Sequence, residues 1–167
     1  MNIFITGQPG CGKSSLISSL IKELKNKNIA GIVTPEIRKG KQRYGFKIID
    51  IKTNQEEILA SVDIKSQFKV SKYYVNIRGI NKIIDRFLEG FDKADFIFID
   101  EIGAMELISK EFKEALEKIL NSDKTIVATL HRNLVDKYKN KGKLFYLTRE
   151  NFNEIKREIL IAIKDGL

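Results

Sequence analysis

The octapeptide Gly7-Gln8-Pro9-Gly10-Cys11-Gly12-Lys13-Ser14 constrains this chain more than any other stretch. It follows the apolar run Ile3-Phe4-Ile5 and leads into Ser15-Leu16-Ile17-Ser18-Ser19-Leu20, which has helical character. The whole pattern G-x-x-x-x-G-K-[ST] is met, and at ordinary glycine usage a chance match in a chain this long arises in under ~1% of cases. Successive backbone N–H groups of such a loop make an anion cradle, and the helix that starts near Lys13 adds its free N–H groups and positive dipole end. Gly7, Gly10 and Gly12 allow positive φ and a close approach of phosphate to the backbone. Lys13 is then placed to reach β- and γ-phosphates, and Ser14 Oγ to ligate Mg²⁺. Cys11 is small enough to fit inside the loop.

The remainder of the chain predicts an α/β fold. With 167 residues, 43% of them apolar, it is long enough for one well-buried core and short for two. A single domain over residues 1–167 is expected. No apolar run is long enough to cross a bilayer, and the N-terminal residues form the loop's own strand rather than a signal, so a cytoplasmic protein without membrane contact is expected. One cysteine excludes an intramolecular disulfide and a multi-Cys metal site. The net charge of +8 is spread along the length. Nucleotide phosphates satisfy such a charge, and nucleic acid is compatible with it but not required. A monomer is expected.

Helix-like and strand-like segments alternate. Helices are predicted from Lys13 to about Lys27, Asn76 to about Phe91, Ser109 to Leu120, about Leu134 to Tyr138 and Arg149 to Ile163. Strands are predicted at Ile29 to Val33, Asp95 to Glu101, Thr125 to Thr129 and Leu144 to Leu147. Residues 34 to 51 read as a β-excursion with its tip at Lys39-Gly40-Lys41, and Asn54 to about Lys72 reads as irregular. This alternation implies a mostly parallel sheet of at least five strands with helices on both faces, a three-layer sandwich, with the excursion added as an antiparallel edge.

The second chemical centre is Asp100-Glu101, which closes the apolar run Asp95-Phe96-Ile97-Phe98-Ile99. At the end of a central parallel strand these acids emerge in the crevice where open α/β sheets bind ligands. Asp100 suits the metal-holding Walker-B role, and Glu101 can accept a proton from the water that attacks the γ-phosphorus. Weaker candidates surround them. Arg38 and Arg43 flank the excursion's tip and suit a cis arginine clamp, or else solvate an exposed hairpin. Thr129 ends a strand facing the same crevice and suits a sensor of the γ-phosphate or its water; His131, the only histidine, and Arg132 follow it, and a plain loop residue is the more ordinary reading of His131. Phe46, Tyr73 and Tyr74 are candidates for base stacking, with packing the more ordinary role for Phe46.

GQPGCGKSS near the start, GIVTPEIRKGKQRYGFKI after the first helix, VSKYYVNI, FIFIDEIGAMEL and VATLHR together resemble the THEP1 family of nucleoside-triphosphatases, a P-loop NTPase family, over essentially the whole chain. The resemblance implies Mg²⁺-dependent hydrolysis of ATP, GTP and other nucleoside triphosphates to diphosphate and phosphate. It implies nucleotide contacts at Gly7, Gln8, Pro9, Gly10, Cys11, Gly12, Lys13, Ser14 and Ser15, and at Ile99, Asp100, Glu101, Ile102, Gly103, Ala104, Met105 and Glu106. Lys13 and Glu101 would be catalytic, and Ser14 and Asp100 would hold the metal. The chain departs from the family at Ala104, where Lys is usual, at Ser71 and Tyr74, where Gly is usual, and at Ser14-Ser15, where Thr-Thr is common. Serine keeps the hydroxyl, so the changes at Ala104 and Tyr74 are the ones that bear on substrate contacts.

Two other functions share these motifs. A kinase acting on a small-molecule or polynucleotide hydroxyl needs the same loop and Asp100, with the excursion as its lid and Glu101 deprotonating the acceptor. A nucleotide-dependent regulatory binding module needs only the loop. A guanine-specific switch is disfavoured, because Asn-Lys occurs at 26, 81 and 140 without the following x-Asp of a base-reading motif.

Overall fold

A computed structural model describes residues 1–165. Its ten strands form one sheet. Five of them are parallel: β1 (Asn2–Gly7), β2 (Ile29–Val33), β8 (Phe96–Ile102), β9 (Thr125–Leu130) and β10 (Lys143–Leu147), in the order β10-β1-β9-β8-β2. The other five run antiparallel to their neighbours: β3 (Glu36–Lys39), β4 (Gln42–Asp50), β5 (Glu56–Ser61), β6 (Lys69–Val70) and β7 (Tyr73–Val75). Beyond β2 the sheet continues through β4, β5 and β7 to β6, while β3 pairs with β4 alone.

The parallel strands are apolar on both faces because both faces are covered. Along β8, Ile97 and Ile99 enter one apolar cluster and Phe96 and Phe98 the other. The first cluster is closed by α2 (Ile77–Phe91) and α3 (Lys110–Leu120). The second is closed by α1 (Lys13–Glu23) and α5 (Phe152–Asp165). Helices α2 and α3 begin where their caps dictate: Asn76 Oδ1 accepts from Gly79 N at 3.3 Å, and Ser109 Oγ from Phe112 N at 3.1 Å. Ser109 Oγ also donates to Asn81 Oδ1 at 2.7 Å, fixing α3 against α2. The remaining helix, α4 (Val135–Tyr138), is one turn flanked by 3₁₀ turns at Arg132–Leu134 and Lys139–Lys141.

Four expectations need correction. The excursion at 34–51 is the hairpin β3–β4 with its turn at Gly40, yet it is not the edge of the sheet, because β5 pairs along β4 and β7 and β6 follow. Residues 54–72, expected to be irregular, contain β5 and β6. Helix α1 stops at Glu23 rather than near Lys27, and α5 starts at Phe152 rather than Arg149. No helix among the described residues is long and apolar enough to cross a membrane.

Candidate active site

The loop between β1 and α1 takes its shape from its glycines. Gly12, the N-cap of α1, has φ 104°, and Gly10 has φ 76°, both in the region that L side chains rarely adopt. At Gly7 space is the constraint, since a Cβ would stand 2.5 Å from Leu147 O and 2.7 Å from Cys11 Sγ. Cys11 is accordingly buried inside the loop, joined to the α1–α5 cluster. Lys13 Nζ donates to Gly7 O at 3.1 Å and to Gln8 O at 3.4 Å, so the cation lies against the loop it belongs to. Ser14 and Ser15 are exposed at the start of α1.

Strand β8 brings in the acids. Its parallel neighbour β9 stands between it and β1, and from β9 the fully buried Thr129 donates its hydroxyl to Asp100 Oδ1 at 2.6 Å. On the other side β2 runs in register with β8, Val33 beside Asp100, so the next residue, Thr34, meets the Asp100-Glu101 peptide. Thr34 N and Oγ1 donate to Asp100 O at 2.7 and 2.9 Å, and Glu101 N donates to Thr34 Oγ1 at 3.2 Å. Asp100 is thus fixed by its side chain from β9 and by its backbone from β2. The β8–β9 register shifts between Ile99 and Ile102, and the Asp100-Glu101 peptide is cis.

Three carboxyl groups follow in seven residues. Burial and the adjacent Asp100 charge raise the proton affinity of Glu101 above the ordinary carboxylate range, while Lys13 pulls it down. Glu106 is 4% exposed. Burial pushes it up to about 8, with the charges of Glu101 and Asp100 adding and the backbone N–H groups of Glu106 and Gly103 opposing. Gly103 lies between the two glutamates: a Cβ there would stand 2.8 Å from Glu106 Oε2 and 3.2 Å from Glu101 Oε1.

Of the remaining sequence candidates, Ile99 and Ile102 bury their side chains in the core and offer only backbone to a ligand, Met105 is half-buried, and Ala104 is exposed. Arg38 Nε and Arg43 Nη2 both pair with Glu36, at 2.8 and 2.6 Å, on the exposed hairpin. Phe46 packs edge-on against the buried Tyr73, ring centroids 5.2 Å apart, and the half-buried Tyr74 lies in the β7 pairing. His131 is occupied in the turn, where its Nδ1 accepts from Asn133 N at 3.2 Å; burial and then the charges of Arg132 and Lys13 hold its pKa below the ordinary imidazole value.

Sequence reasoning did not find the role of Thr34, whose signal was its place just past β2, nor the burial of Glu106. It also missed Arg149, whose Nε stands 3.4 Å from Gly10 O.

A parallel sheet whose first strand opens into a glycine-rich loop and a helix, with paired acids near the end of a second strand and one strand between the two, marks the P-loop NTPases. A family model described as NTPase matches residues 2–160. The nucleoside-triphosphatase THEP1 of Methanocaldococcus jannaschii is 46% identical, the match covering 100% of this chain and 99% of the relative. That of Thermotoga maritima is 43% identical over 98% of this chain and 96% of the relative. Among solved structures, THEP1 from the hyperthermophile Aquifex aeolicus superposes with a TM-score of 0.82 at 31% identity, covering 98% of this chain and 99% of its own. The chain belongs to the THEP1 family of nucleoside-triphosphatases.

Proposed function

We propose that this chain hydrolyses the β–γ anhydride of nucleoside triphosphates, ATP and GTP among them, with Mg²⁺ as its metal. The observation that carries this reading is the glycine-shaped loop, with Lys13 Nζ on Gly7 O and Gln8 O, in one sheet with Asp100 held by Thr129 and Thr34 beside a Glu101 whose proton affinity is raised by burial and by Asp100. A carboxylate of raised proton affinity is a better base at neutral pH. The loop amides and Lys13 bind the β- and γ-phosphates, while Ser14 Oγ and the Asp100 carboxylate hold the metal. These are hard oxygen donors, and two protein oxygens with the rest of the shell from phosphate and water suit Mg²⁺. When bound, the metal neutralises phosphate charge and orients the γ-phosphoryl group.

Glu101 orients a water on the γ-phosphorus and takes its proton as the new P–O bond forms. The bond from phosphorus to the bridging oxygen breaks, and the nucleoside diphosphate leaves with that electron pair. Thr129 and Thr34 keep Asp100 and the Glu101 backbone in place while this happens. Every group named in this reading belongs to one chain, and the reading invokes neither a second copy nor a nucleic acid. The contacts assigned here go to phosphate and metal, and none reads a base edge, so kcat/KM for ATP and GTP should differ by less than about tenfold.

The test is phosphate release from ATP, GTP, CTP and UTP with Mg²⁺, with and without hydroxyl acceptors, alongside the Glu101→Gln variant. Wild type should release phosphate without an acceptor. Glu101→Gln should bind Mg²⁺-ATP within a few-fold of wild type while kcat drops by roughly 10² or more. A near wild-type rate in the variant would show that water is activated elsewhere, and release only with an acceptor would make the chain a kinase.

A further inference from the structure

Strand β9 ends at the site, and the chain turns there into the 3₁₀ segment Arg132–Leu134. Arg132 is exposed, and its Nη1 donates to Gln8 Oε1 at 2.7 Å, across 124 positions of sequence. Gln8 is the second residue of the phosphate-binding loop, so this guanidinium rests on the loop itself. Its partner there is a neutral amide. Among the described residues no carboxylate stands within ion-pair distance of Arg132, whereas Arg38 and Arg43 share Glu36. Lys13 Nζ stands 3.4 Å from the backbone O of the same Gln8, so both cations rest on one residue of the loop.

We propose that Arg132 is the arginine that meets the γ-phosphate, supplied in cis from the β9 turn and held on Gln8 until a triphosphate draws it across. The proposal rests on the nucleoside-triphosphatase reading. The chemistry favours it over the hairpin arginines. Phosphoryl transfer spreads negative charge over the γ-oxygens, and a planar guanidinium with several parallel donors neutralises that charge better than a point cation. Arg38 or Arg43 would first have to leave a carboxylate. Arg132 exchanges only an exposed bond to a neutral amide oxygen for one to an anionic oxygen, which is the stronger kind.

Arg132→Ala, Arg132→Gln and Arg132→Lys test it, with ADP and ATP affinities by calorimetry and single-turnover phosphate release at saturating Mg²⁺-ATP. Arg132→Ala should lose about 10² or more in the single-turnover rate and several-fold in ATP affinity, with ADP affinity within about twofold of wild type. Arg132→Lys should recover part of the rate. Arg132→Gln keeps a polar side chain but lacks the charge, so it should be as slow as Arg132→Ala. Recovery by Arg132→Gln would show that the residue only braces the loop and would overturn the proposal. So would equal weakening of ADP and ATP, or an Arg132→Ala rate within about threefold of wild type. If wild type releases no phosphate from any triphosphate, the hydrolase reading fails, and the ATP-over-ADP comparison still decides whether Arg132 meets the γ-phosphate.

Discussion

Glu106 gives the sharpest physical test, because nearly its whole side chain is buried beside two other acids. Its carboxyl titrates at about 8 in the folded chain against an ordinary value of 4.5. Between those values the folded state holds a proton that the unfolded state has released. The group's contribution to stability is therefore complete below about 4.5, declines as pH rises, and is gone above about 8. The two values lie about 3.5 apart on the pH scale, which at ~1.4 kcal/mol per pH unit amounts to ~5 kcal/mol. That is a large share of the 5–15 kcal/mol, roughly, that holds an ordinary domain folded. Glu106→Gln keeps the shape and removes the ionisation. In urea unfolding from pH 5 to 9, with EDTA to exclude metal, the two proteins should agree within ~1 kcal/mol at pH 5 and diverge upward, the variant being several kcal/mol more stable at pH 9. Parallel stability curves across that range would refute the reasoning. A neutral Glu106 adds no third negative charge beside Asp100 and Glu101.

Two further substitutions probe the same cluster. Gly103→Ala puts a Cβ 2.8 Å from Glu106 Oε2 and 3.2 Å from Glu101 Oε1, so the carboxyl groups must move; single-turnover phosphate release should fall at least about tenfold with ATP affinity nearly unchanged. Thr129→Val keeps the volume but removes the donor to Asp100 Oδ1; a Mg²⁺ titration of activity should show the metal requirement raised about 10- to 100-fold, and unfolding should show a loss of ~1–3 kcal/mol.

The parts of the fold legible in sequence are those whose signal is local. Strand β8 reads as a continuous apolar run because both of its faces are covered, and α2 and α3 carry their own caps at Asn76 and Ser109. The loop is legible because its glycines and Lys13 are contiguous. Strand β5 is not, since Glu56 and Glu57 look like solvent-facing breaks until Lys47 from β4 and Lys82 from α2 stand opposite them, at 2.9 and 3.6 Å. Strands β6 and β7, of two and three residues, are too short for any period to show. Among the candidate residues the same rule holds. Alternation puts Glu36 on the same face of β3 as Arg38, but Arg43 comes opposite Arg38 only through a register shift between Ile37 and Arg38, which no local pattern announces. Whether Glu106 faces solvent or the interior depends on where the segment after β8 packs, which is a tertiary fact.

The position of β9 explains why so many site contacts come from one strand end. It lies between β1, which carries the loop, and β8, which carries the acids. From Thr129 to Arg132 its residues bond in both directions. Toward β8, Thr129 holds the Asp100 carboxylate and His131 N donates to Ile102 O at 3.1 Å. Toward β1, Leu130 O accepts from the buried Thr6 Oγ1 at 2.8 Å, and Arg132 reaches Gln8. A slip of one residue would turn every side chain of β9 to the opposite face of the sheet. Asp100 would lose its hydroxyl donor, Ile126 and Ala128 would leave one apolar cluster, and Val127 would leave the other. The apolar pattern that selects the register of β9 thereby also sets the spacing between phosphate loop and acids, so the precision of the site is secured by core packing rather than by contacts within the site alone.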